Sequence, residues 1–513
     1  MGGEFLKSER RRDALVIACL AILFLQLLLL RAPLHESLWL DETLSVWVAL
    51  GSFQEVIERA FLFQGQSPLY FLILKEFARY STDEFVLRLP SLTALLAAGI
   101  VFYRILRRWF TPEVCILGAA LFLSIDHVMV AGLSARPYAL GLLTALGATL
   151  TLMRWVEFGR CCARLFFWTA LMVATFYFHY LFSAIAAVHL AFVAHRWGKL
   201  STLQRGSFWC AVILGLLCAI PGLQQLAAIS QRGELWDFVG VPSWRHLGHT
   251  LVPLGSVIFV GIGLVFTRIV APYRWRSEWW RGSRANVVPL LIWWLAAPIF
   301  FFIHAHVTGH SLYLDRWFLW VAPASCIVVC AFVAGISERR PRFIVICVAI
   351  AFMIFREADR RWQVEDWRGA SIAAREGRSR GPVLLYSGLV ELESPQWIGD
   401  SAKAPYLGGP FTVYPIGASP ILISSDPRSD RMAEYRGTMV EPSVTSSQEI
   451  LLVAAKKSVT VEGRKEYVFD RWGAWLEARG FRRKGEPVPL KSAAITVQRF
   501  TREAPPPVLD DTQ

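Results

Sequence analysis

Eleven apolar runs set the first limit on what this chain can fold into: residues 15–30, 91–106, 113–130, 137–156, 165–179, 181–195, 207–226, 249–267, 286–304, 317–336 and 342–356. Most approach the length at which a helix rising ~1.5 Å per residue crosses a hydrocarbon core of about 30 Å. Of the 513 residues, 55% are hydrophobic and 18% charged, and mean hydropathy is positive. The class expected is a polytopic α-helical membrane protein. A net charge of +13 does not call for a nucleic-acid partner, because much of the Lys and Arg flanks the apolar runs. That distribution is the positive-inside bias of membrane chains, and the bilayer is the first partner it implies.

The run at 15–30 follows Lys7, Arg10, Arg11 and Arg12 and lacks a small-x-small cleavage site. It reads as a retained signal-anchor with a cytoplasmic N-terminus. Alternation then places five basic loops inside: Arg104, Arg107 and Arg108; Arg154, Arg160 and Arg164; Arg196, Lys199 and Arg205; Arg274, Arg276, Arg281 and Arg284; Arg339, Arg340 and Arg342. Eleven spans from an inside start leave the rest of the chain outside. The domain expectation is a membrane domain over 1–356, an extracytoplasmic α/β domain over 357–503 and a disordered tail over 504–513. Pro382–Tyr386, Ile421–Ile423, Ile450–Ala454 and Ala494–Val497 read as buried strands, alternating with helical patterns at Trp367–Glu376 and Val468–Arg479. The outer segment at 32–90 carries amphipathic patterns, Phe53 to Phe61 and Leu69 to Phe77, with interleaved charges. These suit helices lying along the interface.

Asp41-Glu42 stands where the first span leaves the bilayer, and carboxylates there are costly unless they serve chemistry or binding. If a sugar arrives on a polyprenyl phosphate, its reacting carbon is held at headgroup height. An acceptor hydroxyl then needs a base, and the departing phosphate needs fixed positive charge. Asp41, with Glu42 beside it, is the candidate base; Arg136, Arg316, Arg88 and Lys75 are outer cations that could hold the phosphate. The alternative for Asp41-Glu42 is a helix N-cap. For Arg136 it is anchoring to lipid phosphate, for Arg88 a structural anchor, and for Arg316 pairing with its neighbour Asp315. Tyr138, His179, Tyr180 and Tyr313 are candidates for a sugar or acceptor pocket, with polar cover of a tight outer turn as the alternative for His179-Tyr180. His304, His306 and His310, with Asp315, could hold a divalent metal, although their spacing fits no zinc signature.

Read together, Asp41-Glu42, Gln66-Ser67-Pro68-Leu69-Tyr70, Leu87-Arg88-Leu89-Pro90, Ala135-Arg136-Pro137-Tyr138, Phe178-His179-Tyr180 and Asp315-Arg316-Trp317 resemble the bacterial branch of the GT-C glycosyltransferases. That branch is similar to protein O-mannosyltransferases and to the aminoarabinose and galacturonic acid transferases that modify lipid A. The likeness runs through about the first 320 residues and, weakly, through Glu365–Ala370. It implies a GT-C-like fold, a polyprenyl-phosphate-linked sugar donor and an acceptor in the cell envelope, at the outer face of a bacterial inner membrane. It also implies that Asp41 is the essential acidic residue of the first outer loop and that Arg136 is the arginine of the second. Two positions depart from the pattern. Ser134 stands where many relatives have an acidic residue, which Asp126 could replace, and Trp317 stands where Tyr is usual. The competing class is a transporter or flippase of a lipid-linked saccharide, but the span centres are nearly free of charge. A glycoside hydrolase fits less well, since consecutive carboxylates do not face each other across a scissile bond. A structural assembly protein remains the third alternative.

Overall fold

The computed structural model describes residues 33–158, 162–230, 239–252, 254–275, 287–359, 365–377, 381–461 and 464–502. The run at 15–30 and the tail at 504–513 lie outside them. Each of the other ten runs falls on helix. Six of the described helical stretches are long and apolar enough to cross a membrane, seven if the pair Pro112–Ser124 and Asp126–Gly132, bent by 73°, counts as one span. Two departures from the expected eleven have local causes. Cys162–Phe178 is short at 17 residues, and the run at 249–267 is divided between helices Trp244–Leu251 and Leu254–Val270, with Pro253 between them in sequence.

Contacts divide the chain into two compact units. The first comprises Met1–Leu34, Ile57–Ser81 and Phe85–Arg361; the second comprises His35–Val56, Thr82–Glu84 and Trp362–Gln513. The outer-loop stretch that carries Asp41 therefore belongs with the C-terminal unit, a grouping the linear order hides.

In the first unit, Tyr138–Phe158 and Asp315–Ala334 are two-thirds buried along their apolar windows, whereas Thr202–Ile229 is 22% buried. The former pair is the core, and the latter turns most of its surface outward, as a lipid-facing helix does. Side chains such as Phe102, Phe122, Leu142, Phe182, Trp293 and Val321 fill the middle. Small residues allow helices to approach. A Cβ on Gly263 would lie 2.8 Å from the backbone oxygen of Val345, so Leu254–Val270 packs on Arg339–Asp359 only with glycine there. Short helices occupy the amphipathic stretches, Leu69–Ala78 within this unit and Phe53–Arg59 beginning in the second, and Phe53 and Tyr80 stay exposed.

The second unit is an α/β layer. Strands β1 (Val383–Tyr386), β2 (Ile421–Leu422), β3 (Glu449–Ala455), β6 (Phe481–Arg483) and β7 (Ile495–Arg502) form one sheet in the order β2-β1-β3-β7-β6; β4 (Ser458–Val461) and β5 (Arg464–Tyr467) pair separately. β1 is parallel to β2 and β3, while β7 is antiparallel to β3 and β6. All four expected strands are present, and both helices appear, as Trp367–Gly377 and Val468–Glu477. β1 is buried throughout and β3 at every residue but Glu449, the signature of a central strand covered on both faces. Entry into β1 is tight: a Cβ on Gly381 would meet the Glu449 carbonyl oxygen at 1.7 Å. Gly381→Ala should therefore destabilise this unit by ~1–3 kcal/mol through overpacking. Equilibrium unfolding of the purified variant measures the loss, and a wild-type midpoint would contradict the β1–β3 approach described here.

Candidate active site

In the first unit the site is built where helices end. Pro137 precedes the helix Tyr138–Phe158, and Arg136 lies in the link before it, 4% exposed. Its backbone N–H donates to Ser134 O (2.7 Å), and its carbonyl accepts from Ser91 Oγ (2.9 Å). Those bonds fix the main chain and direct the guanidinium, whose Nη1 lies 3.4 Å from Gln64 Oε1 and whose Cζ stands 5.7 Å from the centre of the Tyr138 ring. The Tyr138 ring is 5.3 Å from His179, and His179 is 6.5 Å from Trp317, the residue after Arg316.

His179 occupies the single extended residue (φ −157°, ψ 112°) between Cys162–Phe178 and the 3₁₀ turn Tyr180–Ala184. Its Nδ1 is buried without a hydrogen-bond partner among the described residues. Next to it, the Tyr180 hydroxyl donates to Gln225 Oε1, and Gln225 Nε2 donates to Gln66 O at 3.0 Å. Sequence reasoning missed Gln225 and Gln64. A glutamine inside the long apolar helix Thr202–Ser230 was the signal available for the first, since amides are costly in a bilayer.

The remaining candidates are placed differently. Tyr313 is buried and packs on Phe318 at 4.7 Å. Arg88 is 1% exposed and donates to Leu34 O (3.1 Å), which is the anchoring geometry. Lys75 is half-buried on Leu69–Ala78. Asp315 does not pair with Arg316: its oxygens face Thr250 Oγ1 (3.2 Å) and His127 Nε2 (3.3 Å). Asp126, the possible substitute for an acidic residue at Ser134, forms an ion pair with Arg356. Among the described residues, no three His, Cys, Asp or Glu side chains come together as a metal site, so His304, His306, His310 and Asp315 do not form one.

In the second unit, Trp39 caps the helix Leu40–Ala49, and Glu42 at its third position is fully buried, accepting from Trp39 N–H at 3.1 Å. The capping role weighed for the acidic pair falls to Glu42. Asp41, half-buried, is one position closer to the helix N-terminus, where the dipole favours a carboxylate. The helix is held from the C-terminal segment: Glu365 Oε2 accepts from Leu40 N–H (2.8 Å) and Trp367 Nε1 (2.7 Å). Burial pushes the Glu365 carboxyl up, and Asp41 and Glu42 add to the rise. Glu84 Oε1 accepts from Tyr414 Oη (2.7 Å) and Arg368 Nη1 (2.9 Å), while Tyr414 Oη also accepts from Leu38 N–H (3.0 Å). Segment 35–40 is thereby tied at several points.

No protein-family profile matches the chain, and no curated protein matches it by sequence. Two crystal structures of ArnT from Cupriavidus metallidurans do match it by fold. The apo structure gives a TM-score of 0.53 at 11% identity, covering 93% of this chain and 97% of that one. The structure bound to undecaprenyl phosphate gives 0.51 at 11% identity, covering 95% and 97%. ArnT is a lipid A aminoarabinose transferase of GT-C fold, so the fold implied by the sequence resemblance is the fold found. With its apolar helices, the chain is a multi-pass membrane protein.

Proposed function

We propose that the protein is a glycosyltransferase that moves a sugar from a polyprenyl-phosphate donor to a cell-envelope acceptor. The observation that carries this reading is the buried Arg136 set against Tyr138, whose ring packs on His179, which in turn faces Trp317 next in sequence to Arg316, in a fold whose ArnT counterpart has been solved with undecaprenyl phosphate. The guanidinium groups of Arg136 and Arg316 supply the fixed positive charge that a leaving phosphate needs. Asp41 is the general base that takes the acceptor hydroxyl's proton as the glycosidic carbon leaves the phosphate for that oxygen. Glu42 supports it by capping the helix from which it projects. Tyr138, His179 and Tyr180 line the sugar. The reaction is placed at the outer face of a bacterial inner membrane, with a cytoplasmic N-terminus and an extracytoplasmic C-terminal domain.

Loss of a general base costs about a hundred- to ten-thousandfold in rate, so Asp41→Asn should abolish most turnover in a protein that still binds donor lipid. Arg136→Ala should weaken donor binding and slow phosphate departure, and Arg136→Lys should rescue it only in part, because an ammonium lacks the planar fork. Mass spectrometry of envelope lipids and glycans from cells with and without the protein identifies the sugar and acceptor; the purified variants are then assayed on them. A monodisperse Asp41→Asn protein that transfers sugar at the wild-type rate would remove Asp41 from the mechanism. Reporter fusions test the orientation, and a cytoplasmic signal at residue 450 would reverse it.

A further inference from the structure

We infer that Asp315, clamped between His127 and Thr250, is a positioning residue that sets Arg316 for the lipid-borne phosphate; this rests on the reading of Arg316 given above. Asp315 opens the 3₁₀ stretch Asp315–Val321 at a backbone turn, where Trp317 N–H donates to Leu314 O at 2.8 Å. A turn of this kind does not by itself fix where the next side chain points. The carboxylate supplies the missing restraint from two separate elements. Thr250 comes from the helix Trp244–Leu251, and its hydroxyl proton is shared between Asp315 Oδ1 (3.2 Å) and His246 O (3.1 Å). The end of that helix is itself secured, since Leu251 O accepts from Trp294 Nε1 (2.7 Å) and Ser325 Oγ (3.0 Å). His127 comes from Asp126–Gly132, and its Nε2 lies 3.3 Å from Oδ2. Its neighbour Asp126 is taken up by Arg356 and does not compete for the ring.

The arrangement also solves an electrostatic problem. A carboxylate adjacent in sequence to a phosphate-binding arginine would repel the phosphate or capture the guanidinium. Here both carboxylate oxygens are occupied by His127 and Thr250, which turns the negative charge away from Arg316. The cavity at this point, about 40 Å³ and lined by His127, His249, Thr250 and Asp315 among others, has space for a water or two and none for a sugar. The cluster therefore acts through Arg316 and is not itself a binding pocket.

The test uses the full chain in detergent, titrated with undecaprenyl phosphate and, as a control lacking the charge, undecaprenol. Arg316→Ala should weaken undecaprenyl phosphate binding by about tenfold or more, the range of a charge-assisted bond. Asp315→Asn and His127→Ala should each weaken it by about three- to tenfold, with undecaprenol binding and the unfolding midpoint unchanged. The double variant should be no weaker than the worse single one, because the two residues act as one unit. His127→Gln, which keeps a donor, should restore much of the loss. If Asp315→Asn fails to fold, His127 carries the test, since half its side chain is exposed and its truncation leaves no buried hole. Wild-type affinity in His127→Ala and Asp315→Asn alongside a loss in Arg316→Ala would overturn this inference and leave the arginine's role standing. Wild-type affinity in Arg316→Ala would overturn both.

Discussion

A guanidinium can be buried in a membrane protein only where other groups hold it, and in the first unit Arg136 is held in this way. Its backbone is pinned by Ser134 and Ser91, and its side chain is met by Gln64 and the face of Tyr138. Arg316 is half-buried at the start of the stretch that Asp315 opens. The Tyr138 ring packs on His179, which faces Trp317, the residue after Arg316. The helix break at His179, the glutamine bridge from Tyr180 through Gln225 to Gln66, and the bend at Asp126 all lie where helices end. Backbone groups there are already unpaired and polar side chains are least costly.

The second unit solves a different problem, the crowding of carboxylates around one helix start. Glu42 turns inward to cap, Glu365 accepts the Leu40 N–H and the Trp367 indole, and Asp41 is left half-buried. Burial and like charge push Glu365 upward, and burial and then Asp41 do the same to Glu391, so each neighbour becomes a weaker competitor for negative charge.

Much of the architecture was legible beforehand because it depends on periodicity. The four strand patterns and the two C-terminal helices fell where expected, since a buried run of four to eight residues bounded by turns has few alternatives. Span counting was less direct. A run such as 249–267 has the composition of a span yet is divided in the structure between two helices, a break that averaged hydropathy does not register. Adjacency misled at Asp315-Arg316, where each side chain finds partners from distant elements. At Asp41-Glu42 the cap was foreseen without knowing which of the two would serve, because that depends on which carboxylate faces the Trp39 N–H.

The sequence by itself determined the membrane class, the basic and apolar alternation, and the strands and helices of the C-terminal region. These follow from composition and short-range pattern, which a linear chain carries openly. Only the tertiary structure decided that residues 35–56 join the C-terminal unit, that Tyr138, His179 and Trp317 come together, and that His127 and Thr250 occupy Asp315. Those are contacts across more than a hundred residues in several cases, and no local pattern encodes them. Their geometry is set by which helix ends meet once every apolar face has been covered.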